Sequence, residues 1–167
     1  MTMMINQEET DKPPSSLDRP RWLVAVIANV KEAKQAHAGE PDDAGAEYDK
    51  PETIQSIRSA IESDGHRTVF LQANRELPFA LRELRPNICF NIAEGLGADS
   101  REAQVPALLA LMGIPYTASM ILSNAVSLDK SLTKRLWRGT SLPTTPYQLF
   151  VTGDEPLRKE MCYPLFV

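Results

Sequence analysis

The chain has 167 residues, of which 43% are hydrophobic and 24% charged. That balance excludes collagen-like, coiled-coil and wholly disordered chains. The length fits one ordinary domain of roughly 100–150 residues and part of another. The net charge of −4 comes with no basic stripe, so no nucleic-acid partner is expected. No apolar run approaches the roughly 20 residues of a membrane helix, so no membrane partner is expected either.

Residues 1–20 are polar, contain Pro13-Pro14-Ser15-Ser16 and lack an apolar signal region. They read as a flexible leader. Leu23-Val24-Ala25-Val26-Ile27-Ala28 is a short continuous apolar run, the pattern of a strand buried on both faces. Residues 31–47 are polar and glycine-containing, and read as a long mobile loop.

A helix follows. Asp49 and Glu52 have capping-box spacing, and Pro51 falls in the first turn. Ile54, Ile57 and Ile61 share one face, and Gly65 is a natural residue after its end. Thr68-Val69-Phe70-Leu71 reads as the second strand. Leu77, Leu81 and Leu84 mark a short helix stopped by Pro86. Ile88-Cys89-Phe90-Asn91-Ile92 reads as the third strand. Asp99 and Glu102 repeat the capping-box spacing before a helix with Val105, Leu108, Leu109 and Met112 on its apolar face. Ile114-Pro115-Tyr116-Thr117 reads as a fourth, short strand.

Alternating strands and helices predict an α/β fold, a doubly wound, mostly parallel sheet. The pattern changes after Thr117. Leu128, Leu132 and Leu136 predict a helix ending at Gly139, which carries the cations Lys130, Lys134, Arg135 and Arg138. Two further strands are expected at 147–151 and 163–167. The domain reading is therefore a leader at 1–20, an α/β domain at 21–120 and an incomplete second domain at 121–167.

Ligands bind such sheets beyond the carboxyl ends of the strands. The loops after Ile27 and Ile92 lie there. In the second, Glu94-Gly95-Leu96-Gly97 connects strand to helix. Gly95 and Gly97 permit close backbone approach or simply shape the turn. The spacing is neither a dinucleotide fingerprint nor a P-loop. Glu94 is either a solvated carboxylate or the partner of a substrate ammonium. Lys130 is either part of a solvated basic face or a phosphate contact. Glu47 flanks the long loop and is a weaker candidate. His37 and His66 have no spacing that suggests zinc, and no metal ligand set is predicted. No catalytic constellation is complete. Cys89 lies in an apolar run, and with Cys162 it gives no disulfide framework, which suits a reducing, cytoplasmic setting.

The stretches Phe90-Asn91-Ile92-Ala93-Glu94-Gly95, Ser100 to Leu109, and Gly113-Ile114-Pro115-Tyr116-Thr117-Ala118-Ser119 resemble the D-alanine–D-alanine ligase-like branch of the ATP-grasp superfamily. Leu128-Asp129-Lys130-Ser131-Leu132-Thr133-Lys134, Leu142 to Pro146 and Tyr163 to Val167 continue the resemblance in the same order. It implies an N-terminal substrate-side α/β domain, preceding an ATP-grasp module of which 121–167 is the truncated start. It also implies a reaction. ATP phosphorylates a carboxylate to an acyl phosphate, and an amine attacks it to give an amide.

By the same resemblance, Lys130 contacts ATP phosphate, and Glu94, Gly95 and Gly97 belong to a substrate-side loop for an amino acid or small peptide. ATP and Mg2+ are the cofactors of the intact enzyme. Neither is expected to bind tightly to this chain alone, and the chain alone is expected to be inactive. A homodimer is also implied. Glu94 stands where true D-alanine–D-alanine ligases usually carry histidine, and Ala28-Asn29-Val30-Lys31-Glu32 replaces their glycine-rich motif, which points away from D-alanine toward a related amino acid or peptide. The competing readings are a stand-alone α/β ligand- or partner-binding module and a receiver-like domain. The latter is disfavoured because no Asp ends the third strand.

Overall fold

The computed structural model describes residues 20–30, 47–97 and 99–166. The predicted leader, apart from Pro20, and most of the predicted loop at 31–47 lie outside the described residues.

Strand β1 (Leu23–Ala28) is the centre of a three-stranded parallel sheet. β2 (Arg67–Gln72) pairs on one side, with Val24 opposite Thr68. β3 (Ile88–Asn91) pairs on the other, with Val24 opposite Ile88. The order β2-β1-β3 forces the chain to wind outward in both directions from β1. The crossovers are α1 (Pro51–Ser63) and α2 (Leu77–Leu84), and α3 (Gln104–Leu111) follows β3 after a 3₁₀ turn at Arg101–Ala103.

The continuous apolar run of β1 has its expected cause. Val26 and Ala28 face α1, where they pack with Ile54, Ile57 and Ile61. Ala25 and Ile27 face the other layer, with Leu77 and Leu81 of α2 and Val105 and Leu109 of α3. Period-two alternation thus feeds two cores rather than one core and solvent. Fully burying a side chain such as Ile27 contributes roughly 1.5–3 kcal/mol. The fold is the doubly wound α/β arrangement read from the sequence.

The predicted fourth strand is reduced to one parallel bridge, between Cys89 and Tyr116. Cys89 N donates to Pro115 O and Thr117 N donates to Cys89 O, both at 2.9 Å. Pro115, which has no N–H, limits what this segment can add to a ladder.

Neither capping box forms. The cap of α1 is Lys50, with no side-chain bond, and Asp49 instead bridges Val30. Asp49 N donates to Asn29 O at 2.9 Å, which draws the residue into the sheet edge. Ser100, in a left-handed conformation, precedes the 3₁₀ turn, again without a side-chain cap.

Two helices occupy the region for which one is predicted. α4 (Ile121–Leu128) and α5 (Lys130–Gly139) meet at Asp129, whose extended backbone breaks the helical path. The Asp129 carboxylate accepts from Leu132 N at 2.8 Å and so caps α5.

The strands predicted at 147–151 and 163–167 are absent among the described residues; Val167 itself lies outside them. Their apolar pattern is real, but Phe150, Val151, Tyr163 and Phe166 are exposed and no neighbouring strand accepts their ladder bonds. The amides of Val151, Thr152 and Gly153 turn onto the Glu155 carboxylate instead.

Candidate functional site

The first and third strands leave the sheet side by side at their carboxyl ends, where the direction of winding reverses. Asn29, the residue directly after β1, holds that end together. It is buried. Its Nδ2 donates to Ala73 O beyond β2, and its Oδ1 accepts from Gly95 N beyond β3, each at 2.9 Å. Its own carbonyl accepts from Asp49 N at 2.9 Å. One side chain and one carbonyl thus join the segments leaving all three strands to the start of α1.

Gly95 is fixed by this arrangement. Its φ is +79°, and a Cβ there would lie 2.2 Å from Arg101 O. Gln104, on the first residue of α3, clamps the rest of the loop. Its Oε1 accepts from Leu96 N at 3.0 Å, and its Nε2 donates to Leu96 O at 2.9 Å and to Gly97 O at 3.3 Å. A rigid backbone between two clamps is the means of holding Glu94 in place.

Glu94, the residue directly before the clamped stretch, is half-buried. Burial raises its carboxyl pKa above the ordinary value, and the negative charges of Glu102 and Glu47 add to the rise. Arg101 opposes it, and Asp49 adds a smaller push upward. Arg101 is itself ion-paired with Glu47. The local field around Glu94 therefore favours an additional cation, such as an ammonium group.

A cavity of about 110 Å³ lies on the other side of the loop. Ala73, Leu77, Pro78, Val105 and Leu108 form its apolar part, Gly95, Leu96 and Gln104 its loop side, and Asn74 and Arg75 its polar rim.

The predicted site residues are thus placed unequally. Glu94, Gly95 and Gly97 lie together on one clamped loop. Lys130 lies elsewhere, at the start of α5, exposed, with its Nζ 3.5 Å from Ser127 O. No hydrogen bond or ion pair joins it to the Glu94 loop among the described residues. The connection is indirect, through Ser100 Oγ, which donates to Ala125 O of α4 at 3.1 Å.

The other three cations of the basic cluster have structural partners. Lys134 Nζ donates to Thr145 Oγ1 at 2.7 Å, and Arg135 donates to Ser131 Oγ at 3.2 Å. Arg138 lies 5.0 Å from the Tyr147 ring centre. These contacts pin the 143–147 segment against α5 and leave Lys130 as the cation of the cluster without a side-chain partner among the described residues.

The sequence reading does not single out Asn29, Arg101 or Gln104. The available signal for Asn29 is its position, a polar amide directly after a doubly buried strand. For Gln104 no local signal exists, because its role depends on how α3 returns to the loop.

No family model matches the chain. A D-alanine–D-alanine ligase from Moorella thermoacetica is 33% identical over 100 residues, covering 60% of this chain and 31% of that protein. One from Halorhodospira halophila is 43% identical over 90 residues, covering 53% of this chain and 29% of its own length. The crystal structure of D-alanine–D-alanine ligase from Bacillus anthracis complexed with ATP shares the fold, with a TM-score of 0.56 at 18% identity over 83% of this chain and 43% of that one. The chain thus spans about a third of the length of these two curated relatives. These relatives support a D-alanine–D-alanine ligase-like family for the matched part of the chain, which spans only part of its relatives' length.

Proposed function

We propose that the chain is the substrate-side part of an ATP-dependent carboxylate–amine ligase that works in the cytoplasm through an acyl phosphate. The observation that carries this reading is the clamped loop. Asn29 and Gln104 hold Glu94 at the carboxyl end of the sheet, in a field that favours an ammonium group. An amino acid or small peptide is the substrate class that fits. Glu94 pairs with its ammonium, and the fixed backbone sets the direction in which its carboxyl or amine is presented.

Lys130 is the phosphate contact. Its exposed ammonium is a compact point charge, suited to one phosphate oxygen of ATP rather than to a two-pronged grip. In the transfer itself, the substrate carboxylate attacks the γ-phosphorus, and the bond to the β,γ-bridging oxygen breaks to release ADP. The amine then attacks the acyl carbon and expels phosphate. Among the described residues no group of three or more His, Cys, Asp or Glu could hold a metal ion. In this reading magnesium and the remaining nucleotide contacts come from elsewhere in the intact enzyme, and the chain alone does not ligate.

The test is amide-resolved NMR on the 167-residue chain, titrated with amino acids of both configurations. The expected result is a saturable shift of the Glu94 to Gly97 amides, lost in Glu94→Gln. Shifts confined to other elements would overturn the substrate-side assignment. ATP-dependent amide formation by this chain alone would overturn the division of labour.

A further inference from the structure

We propose that the cavity behind the Glu94 loop is a second small-molecule site, which takes a short, branched aliphatic monocarboxylate. Its carboxylate pairs with Arg75, and its tail lies on Leu77, Val105 and Leu108.

Three observations carry this. The first is size. At about 110 Å³ the space is somewhat smaller than the roughly 150 Å³ cavity that accommodates benzene. A ligand of about six heavy atoms is therefore the upper limit, and a nucleotide or peptide does not enter.

The second is chemistry. Leu77 and Val105 are buried core residues, and with Pro78 and Leu108 they give the cavity an apolar floor. Arg75 stands on the rim, and its guanidinium has no hydrogen-bond or ion-pair partner among the described residues. Among the described residues no carboxylate lines the cavity, so a ligand ammonium would have no ionic partner from them. Asn74 Oδ1 is already occupied by Glu76 N at 2.9 Å. A zwitterionic amino acid is thereby disfavoured, and a plain monocarboxylate fits.

The third is position. Gln104, Leu96 and Gly95 line the cavity with the same groups that clamp the substrate-side loop. Glu94 is not among the lining residues, so the site is separate from the ammonium position. A ligand there touches the clamp directly and alters how firmly the loop is held.

The experiment is a titration of the 167-residue chain with isobutyrate, followed by amide-resolved NMR. Isobutyramide and inorganic phosphate are the comparison ligands. Isobutyrate is expected to shift the Leu96 amide and the Gln104 side-chain amide saturably. Isobutyramide lacks the charge and phosphate lacks the tail, so each should bind about tenfold more weakly. Arg75→Gln, on the surface, should reduce isobutyrate to the isobutyramide level while leaving the amide spectrum otherwise intact. Leu108→Phe should abolish binding by filling the cavity with Arg75 still present.

Equal action of phosphate and isobutyrate would mean a bare surface guanidinium and overturn the proposal. Equal action of isobutyramide would mean an uncharged apolar hole and do the same. So would unchanged binding in Arg75→Gln, or the absence of any saturable shift at Leu96 and Gln104. If Leu108→Phe fails to fold, the Arg75→Gln comparison still decides.

Discussion

Asn29 and Gly95, 66 residues apart, are joined by a buried hydrogen bond of 2.9 Å from the Gly95 amide to the Asn29 side-chain oxygen. The same side chain donates to Ala73 O. Asn29→Ala leaves one buried donor and one buried acceptor without partners. Each such orphan costs about 1–3 kcal/mol, so a destabilisation of about 2–6 kcal/mol is expected in urea unfolding. Asn29→Asp keeps the acceptor, loses the donor to Ala73 O and buries a charge. It should also be destabilised, increasingly so as pH rises and the carboxyl ionises.

The two loop glycines should differ sharply. Gly95→Ala meets both a left-handed φ of +79° and a backbone oxygen 2.2 Å from the new Cβ. The oxygen belongs to the turn that starts α3, so it cannot move without the helix. A loss above about 2 kcal/mol is expected, more than the 1–2 kcal/mol of the backbone conformation alone. At Gly97 φ is +32° and nothing lies within 4 Å of the added carbon. Gly97→Ala should lose no more than the conformational part. Equal losses in thermal or chemical unfolding would contradict the close approach at Gly95.

Much of this framework is legible in the sequence, and its limits have physical causes. The apolar run at Leu23–Ala28 declares a strand buried on both faces, and the alternation of strands and helices declares a parallel sheet, while the order β2-β1-β3 is supplied by the structure. The placement of Glu94, Gly95 and Gly97 on one strand-to-helix loop is legible from the alternation of strands and helices, and their role in binding is the proposal that follows from such loops at this end of a parallel sheet. Asn29 and Gln104 are not legible, because their work is done on partners 66 and 8 residues away. The capping boxes mislead because Asp49 is recruited by Asn29 O and Val30, a tertiary contact that outweighs a local cap. The segments at 147–151 and 163–166 mislead in the opposite way. Strand propensity without a neighbouring strand leaves the amides to find other acceptors.

Glu94 should set stability against binding. Its pKa in the fold is raised above the ordinary 4.5, chiefly by burial and then by Glu102 and Glu47. Below 4.5 the carboxyl is protonated in both folded and unfolded chains and carries no penalty. As pH rises through the folded value, ionisation in the buried, acidic setting erodes stability, and the loss then stays constant. Glu94→Gln should therefore melt higher than the parent at pH 7 and equally at pH 3. The same substitution should weaken the binding of an amino-acid ammonium. A variant that melts lower at pH 7 would show that the ionised carboxylate is satisfied within the fold.

The two thiols should react at very different rates. Burial pushes the Cys89 thiol up to about 12, and the residue is fully enclosed beside β1. Cys162 is exposed. The thiolate is the reactive form, so iodoacetamide at pH 8 should label one cysteine in the folded chain, identified by peptide mass as Cys162. In urea both should be labelled. Rapid labelling of Cys89 without denaturant would mean that β3 separates from the Pro115–Thr117 segment far more often than the paired hydrogen bonds suggest.

Glu155 provides a local test of the C-terminal segment. Its carboxylate accepts from the amides of Val151, Thr152 and Gly153 at 2.8, 3.0 and 3.0 Å. Backbone hydrogen bonds, that from Thr152 first, hold its pKa down at about 2 against the ordinary 4.5. The turn is therefore fully supported above pH 4.5 and loses that support as pH falls toward 2. A carboxyl-detected NMR titration should find Glu155 still ionised at pH 3, where ordinary glutamates are protonated. Glu155→Gln removes the charge but retains one carbonyl acceptor. Amide exchange at 151–153 should quicken in that variant, while the Leu96 and Gln104 signals remain unchanged. An ordinary Glu155 titration near 4.5 would show that the three amides do not converge on the carboxylate in solution, and that the turn at 151–155 is held by other contacts.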